Sequence, residues 1–349
     1  MPLIFDGKNV IFYSMSVNFS WPIYGHQQQI SFLQESIRQH KLANTYLFYG
    51  PRGLGKKLVA YNFAKSLFCQ AEDNKPCQKC DACQQINKGV FADLHILGKD
   101  QDELSADHIK EFLARLSLTS SSGGHKLAII QKVDKINLFS ANALLKTLEE
   151  PPKNTTIILV ADQINNLPAT VISRCQLLKF CSLDKVAMQE WLGSFDFLAE
   201  EKNTVLNLSF GKPGLALEYM DDKLVSFKEN CDFLIKLLSN DTLAALQTLD
   251  HWFTALKKAH PNYKIYELGE HTTLQLNLLE LVLRDILWIK LGRQPINTIY
   301  QEQLQDLAKQ YQPGILLKNL LKLNNIKKQL KNNVSPLLSW ENLVLNFKS

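Results

Sequence analysis

The chain has 349 residues, 46% of them apolar and 21% charged, an ordinary globular composition with room for two or three domains, which excludes a disordered chain. Lysine plus arginine exceeds aspartate plus glutamate by 39 − 34 = +5, an excess too mild to argue for a dedicated DNA-binding surface. The longest apolar stretch, Leu274–Leu291, is interrupted by Glu280, Arg284, Asp285 and Lys290, so it reads as a buried helix rather than a membrane span.

The first twenty residues have neither the basic start nor the apolar stretch of a cleavable signal. Residues 1–19 read as an extension, loose up to residue 14 or a misassigned start before Met15. The chain is expected to be cytoplasmic. Residues 20–182 alternate helices with short apolar strands, the pattern of a parallel sheet covered on both faces. Gln27–His40 carries Ile30, Leu33 and Ile37 at helical spacing; Thr45–Tyr49 is β-rich; Lys57–Cys69 is helical again. Lys126–Gln131 and Thr156–Ala161 read as buried strands, and Cys175–Phe180 as another. Between the first two, Ser140–Glu149 forms a helix stopped by Pro151-Pro152, since proline has no N–H to continue it. Residues 183–222 read as a small helical unit with a turn at Gly211–Gly214, and 223–349 as helical throughout; Leu316, Leu320, Leu323 and Leu330 stripe one helix there.

Between the first strand and its helix lies Gly50-Pro51-Arg52-Gly53-Leu54-Gly55-Lys56-Lys57, one residue short of the phosphate-binding pattern G-x-x-x-x-G-K-[ST]. Gly50, Gly53, Gly55 and Lys56 are in place, and strand–loop–helix is the required context. Lys57 stands where a hydroxyl would hold Mg²⁺, and a protonated lysine repels a metal rather than ligating it. An ATPase also needs acids at the end of a neighbouring strand, one on Mg²⁺ and one positioning water. After Ala128-Ile129-Ile130 those two places are taken by Gln131 and Lys132; Asp134 comes too late and reads as a cap on the next helix. Two metal-binding elements are therefore missing together, and productive ATP/Mg²⁺ binding is not expected.

Seven cysteines occur, and Cys69, Cys77, Cys80 and Cys83 cluster as C-x7-C-x2-C-x2-C. Four thiolates complete a tetrahedral Zn²⁺ shell with no open position, which is structural rather than catalytic zinc. The set lies between a helix and the next strand, so the expectation is a zinc module over 69–83. Cys175, Cys181 and Cys231 are scattered and read as structural. In Ser173-Arg174-Cys175, an arginine at the start of a strand is placed to reach a neighbouring subunit's phosphate; a plain surface arginine fits the sequence equally well.

Tyr24-Gly25-His26, the loop Gly50–Lys57, the four cysteines, the string Ala141–Pro152 (ANALLKTLEEPP), Ser173-Arg174-Cys175, and Asn333–Pro336 with Glu341-Asn342-Leu343 together resemble the clamp-loader branch of the AAA+ ATPases of bacterial DNA polymerase III. The resemblance runs over most of the chain. It implies a RecA-like AAA+ α/β domain with a zinc knuckle, then a small helical lid and an all-α C-terminal collar. The family's hydrolysing subunit carries Ser or Thr at Lys57 and Asp-Glu at Gln131-Lys132. By the same comparison Ala161 takes the polar sensor place on the fourth strand, and Gly214 the place of the lid arginine. What remains is Arg174, with Ser173 and Cys175 in the SRC motif. The resemblance thus implies a stator without ATPase activity of its own within the polymerase holoenzyme. It would lend Arg174 in trans to a neighbouring ATPase subunit. The ring would be a hetero-pentamer with three ATPase subunits and the clamp-opening delta subunit, which loads the sliding clamp onto primed DNA. The competing expectations are an active AAA+ ATPase and a zinc-dependent nucleic-acid-binding module.

Overall fold

The computed structural model describes residues 17–98, 105–117, 124–196, 198–220, 224–330 and 334–347. Two compact units are present: residues up to Ala187 together with Lys212–Gly214, and Met188–Gly211 with Leu215 onward.

In the first unit the elements run α1 (Gln27–Arg38), β1 (Thr45–Tyr49), α2 (Lys56–Phe68), α3 (Asp81–Lys88), β2 (Leu94–Leu97), α4 (Ala106–Ser117), β3 (Lys126–Gln131), α5 (Leu138–Glu149), β4 (Thr155–Ala161), α6 (Ala169–Ile172) and β5 (Gln176–Lys179). The strands form one sheet in the order β2-β3-β4-β1-β5, every neighbouring pair parallel. A parallel sheet with helices on both faces is what the family resemblance implies. β3 and β4 are buried along their whole length, which is why KLAIIQ and TTIILVA are continuous apolar runs rather than alternating ones. Strand periodicity still sorts their side chains by face. Tyr46, Phe48, Leu127, Ile129, Ile158 and Val160 pack with Leu33 of α1 and Phe63 of α2. Leu47, Ala128, Ile130, Ile157 and Leu159 pack with Ile109 of α4 and Leu144 of α5 on the other side.

Several boundaries move for local reasons. α1 ends at Arg38 because His40 turns into the left-handed region at φ 53°. α2 starts one residue earlier than its apolar pattern shows, with Gly55 as its N-cap at φ 85°. The cap of α5 is Asn137, whose side chain accepts from the Ser140 amide at 2.9 Å. Asp134 is not a helix cap: its carboxylate accepts from the Gln163 amide at 3.1 Å. α3, β2 and α4 were not read from the sequence. β2 is an edge strand with His95 in its middle and no fully buried position, so it lacks the apolar run that marks a central strand. Of the expected N-terminal extension, 1–16 lie outside the described residues. Asn18 and Ser20 exchange backbone hydrogen bonds with Lys75, and Phe19 packs on the sheet core, so this part belongs to the fold.

The elements that follow are α7 (Lys185–Gly193), α8 (Ala199–Ser209), α9 (Pro213–Glu218), α10 (Leu224–Ser239), α11 (Thr242–Ala259), α12 (Ile265–Lys290), α13 (Gln301–Gln310), α14 (Pro313–Leu330) and α15 (Pro336–Val344). α12 packs against α10, α13, α14 and α15. Its buried Asp285 accepts from the amides of Ile296 and Asn297 at 3.0 and 2.9 Å, fixing the loop that leads into α13. Burial pushes that carboxyl above its ordinary value. Among the described residues no helix is long and apolar enough to cross a membrane.

Phe63 of α2 is fully buried against the sheet, edge-on to Tyr46 of β1 with ring centroids 5.8 Å apart. Phe63→Ala is expected to destabilise the first unit by about 3–5 kcal/mol, measured as the shift of its urea unfolding transition; a loss below about 1 kcal/mol would contradict this packing.

Candidate functional site

Parallel strands gather the loops leaving β1, β3 and β4 at one edge of the sheet. Gly50, Gly53, Gly55, Lys56 and Lys57 lie there together, as do Gln131, Lys132 and Ala161. The loop has the glycine geometry its pattern requires. Gly50 sits at φ 142° and a Cβ there would meet the Phe180 carbonyl at 2.1 Å, so no other residue fits. His26 braces the loop from below, with Nε2 2.9 Å from the Leu54 carbonyl; burial lowers its pKa and keeps the ring neutral.

Lys56 points inward, and its ammonium is spoken for. Its side chain is 5% exposed and pairs with Asp162 at 2.8 Å. It also donates to the carbonyls of Gly50 and, at 2.8 Å, Pro51. These account for the three donors a lysine has. Asp162 was not singled out from the sequence. The fourth-strand residue expected at the sensor place, Ala161, is buried and has no polar side-chain atom, whereas Asp162 one position later reaches the loop. The register Tyr49↔Ala161 between β1 and β4 is what brings it there. Gly214 lies against the same loop: its amide donates to the Gly53 carbonyl at 2.7 Å, and a Cβ there would stand 2.9 Å from that oxygen. A longer side chain at Gly214 would displace the loop. Beside it, desolvation and then the charge of Lys132 lower the pKa of Lys57. At the end of β3 the first of the two acidic places holds Gln131, whose amide is buried. The two places where Mg²⁺ chemistry requires carboxylates thus hold an amide and a lysine, and the nearby Asp162 carboxylate is paired with Lys56.

The four cysteines also come together. Cys69 closes α2, Cys80 is the N-cap of α3 and Cys83 lies in its first turn. Their sulfur atoms are all within 4.8 Å of one another. A tetrahedral ion with bonds of about 2.3 Å sets its sulfurs about 3.8 Å apart, so a small contraction closes the shell. The amides of Cys77 and Cys80 donate to the sulfurs of Cys69 and Cys77, each at 3.3 Å. Backbone donors from Cys80 and Lys79 draw the Cys77 thiol down to about 6, while burial pushes Cys83 up to about 12. A cation is what allows two buried and two half-buried thiols to ionise together, so the donor set fits a metal.

Arg174 stands elsewhere. Ser173, Arg174 and Cys175 join α6 to β5, the edge strand. Cys175 is turned inward, donating to the Val171 carbonyl at 3.1 Å, and burial raises its pKa to about 12. Since Tyr46 pairs with Gln176 and Tyr49 with Lys179, Arg174, two residues before β5, lies at the edge where β1 begins, whereas Gly50 follows where β1 ends. The four rises from Thr45 to Tyr49 alone separate these two edges by about 13 Å. The guanidinium is 34% exposed and pairs with Glu149, the last residue of α5, at 2.5 Å; Glu149 is 49% exposed. It also donates to the Thr170 carbonyl at 2.7 Å. Exposed pairs of this kind contribute about 0–1 kcal/mol.

Comparison with known proteins bears on these features as a set. The family model described as DNA polymerase III, delta subunit, matches residues 25–184. DNA polymerase III subunit delta' of Bacillus subtilis is 30% identical over 317 residues, spanning 90% of this chain and 93% of that protein. The subunit delta' of Pseudomonas aeruginosa is 34% identical over 197 residues, 55% of this chain and 59% of its own length. Subunit tau of Bacillus subtilis is 35% identical over 159 residues, 45% of this chain and 28% of tau. Among solved structures, a DNA polymerase III gamma-subunit-related protein from Thermotoga maritima aligns over 90% of this chain and 98% of its own, with a TM-score of 0.47 and 14% identity.

Purified chain is expected to hold about one metal ion per molecule by elemental analysis, and Cys80→Ser to lose it with loss of heat stability. A metal-free preparation with an unchanged unfolding transition would refute the site.

Proposed function

This chain belongs to the delta' family of DNA polymerase III subunits, and on that premise we propose that it is a non-hydrolysing stator of the replicative clamp loader. The observation that carries the reading is the separation just described. Arg174 lies about a full sheet height from the chain's own glycine loop, so its charge is available only to a site on another subunit. Its own loop meanwhile lacks the groups for hydrolysis: Lys57 replaces the Mg²⁺-binding hydroxyl, and Gln131 and Lys132 replace the acid pair.

In the proposed ring, Arg174 reaches the γ-phosphate bound by a neighbouring ATPase subunit. Negative charge builds on the phosphoryl oxygens and the leaving oxygen in the transition state, and a fixed guanidinium offsets it; such fingers contribute roughly 10³–10⁵ in rate. Ser173 and Cys175 hold its backbone, the first exposed and the second anchored in the core. Residues 20–182 form the AAA+ domain, 183–222 the lid and 223–349 the collar that holds the ring. The partners are the ATPase subunits, the delta subunit, the sliding clamp and primed DNA, which the assembled complex grips by backbone contacts shared among subunits. The metal is Zn²⁺, held by Cys69, Cys77, Cys80 and Cys83 as a closed cross-link without a catalytic position. The compartment is the cytoplasm, where free thiols persist.

Reconstitution with the ATPase subunits tests the reading. Arg174→Ala is expected to leave assembly intact, scored by gel filtration, while DNA-stimulated ATP turnover of the complex falls by about tenfold or more at the site it serves. Unchanged turnover would sink the finger assignment. The isolated chain is expected to show no turnover; robust hydrolysis abolished by Lys56→Ala would favour an active ATPase instead.

A further inference from the structure

Glu149 has no part in the stator reading, yet it holds the one group that reading depends on. We propose that Glu149 is a positioning residue that parks Arg174 in the place a phosphate will later take, so that the finger is released only when the neighbouring site carries nucleotide. The inference rests on the stator reading above.

Three observations lead to it. First, the Glu149 carboxylate meets an Arg174 terminal nitrogen at 2.5 Å, 25 residues away in sequence. Carboxylate and phosphate offer a guanidinium the same kind of oxygen fork, so one can replace the other without a change in donor geometry. Second, the other terminal nitrogen is held independently, donating to the Thr170 carbonyl at 2.7 Å, with the Ser173 hydroxyl at 3.4 Å. Losing Glu149 therefore leaves the guanidinium anchored at one end and free at the other. Third, both partners are substantially solvent-exposed, at 34% and 49%. A pair in that setting is weak, and a multiply charged phosphate displaces it readily. A buried pair would be a permanent brace instead.

The electrostatic consequence is specific. While paired, the guanidinium charge is offset by Glu149 and is of little use to a distant phosphate. Once the pair opens, the charge is unmasked where phosphoryl charge builds. ATP on the neighbour must therefore compete with Glu149, and that competition raises the ATP concentration at which the complex turns over.

The test uses the reconstituted complex with Glu149→Gln, which keeps the side-chain shape and removes the charge. The ATP concentration for half-maximal turnover is expected to fall about two- to fivefold, the range set by the weakness of an exposed pair. The gap from wild type should narrow as salt screens the native pair. Glu149→Asp, which restores the charge, should return the value toward wild type, a rescue that a purely structural contact does not require. An unchanged half-saturating concentration in Glu149→Gln would overturn the proposal, as would a fall in maximal turnover matching that of Arg174→Ala. Arg174→Ala, run beside it, separates the two ideas. If Arg174→Ala slows turnover and Glu149→Gln changes nothing, only the parking role fails; if Arg174→Ala changes nothing, the finger assignment fails with it.

Discussion

Parallel pairing of all five strands is the constraint from which the rest of the molecule follows. When every strand runs the same way, the loops that leave strands and the loops that enter them are carried to opposite edges, separated by the strand length. The glycine loop, Gln131 and Asp162 leave strands; Arg174 and Glu149 precede them. No adjustment of side-chain rotamers brings Arg174 to Lys56 in one chain. In the proposed ring, a shared site takes the leaving edge from one subunit and the entering edge from its neighbour.

The leaving edge has kept its backbone and changed its chemistry. Gly50 still takes a conformation that only glycine tolerates, because the Phe180 carbonyl fills the space a Cβ needs. Yet Lys56, which a nucleotide-binding loop offers to phosphate, is engaged by two loop carbonyls and Asp162. A buried ammonium needs such partners, since leaving it unpaired costs several kcal/mol. The ion pair and the Gly214–Gly53 contact thus make the loop self-sufficient: it is satisfied by its own chain. The glycine loop, with Gly55 as the N-cap, leads into the start of α2.

Much of this is legible in the amino-acid sequence. The central strands announced themselves as apolar runs because both of their faces are buried, and the cysteine spacing announced a compact thiol cluster. The edge strand β2 did not, because half-buried positions carry no run and His95 interrupts it. Asp162 escaped notice for a different reason. It follows β4 as an unremarkable acid, 106 residues from Lys56, and only the adjacency of β1 and β4 makes it a partner. Asp134 shows the converse. A carboxylate shortly before a helix invites a capping role, but Asn137 sits at the cap and Asp134 turns to the Gln163 amide instead.

The amino-acid sequence by itself determined which chemistry is missing: a lysine cannot serve as a Mg²⁺ ligand, nor an amide as a carboxylate, whatever the fold around them. It also determined which groups remain, four thiols and an arginine in a family pattern. Tertiary structure alone decided who meets whom, setting Lys56 on Asp162, Gly214 on Gly53 and Arg174 on Glu149. The reason is physical: residue type fixes what a group can bond to, while strand order and direction fix the few ångströms within which a bond forms.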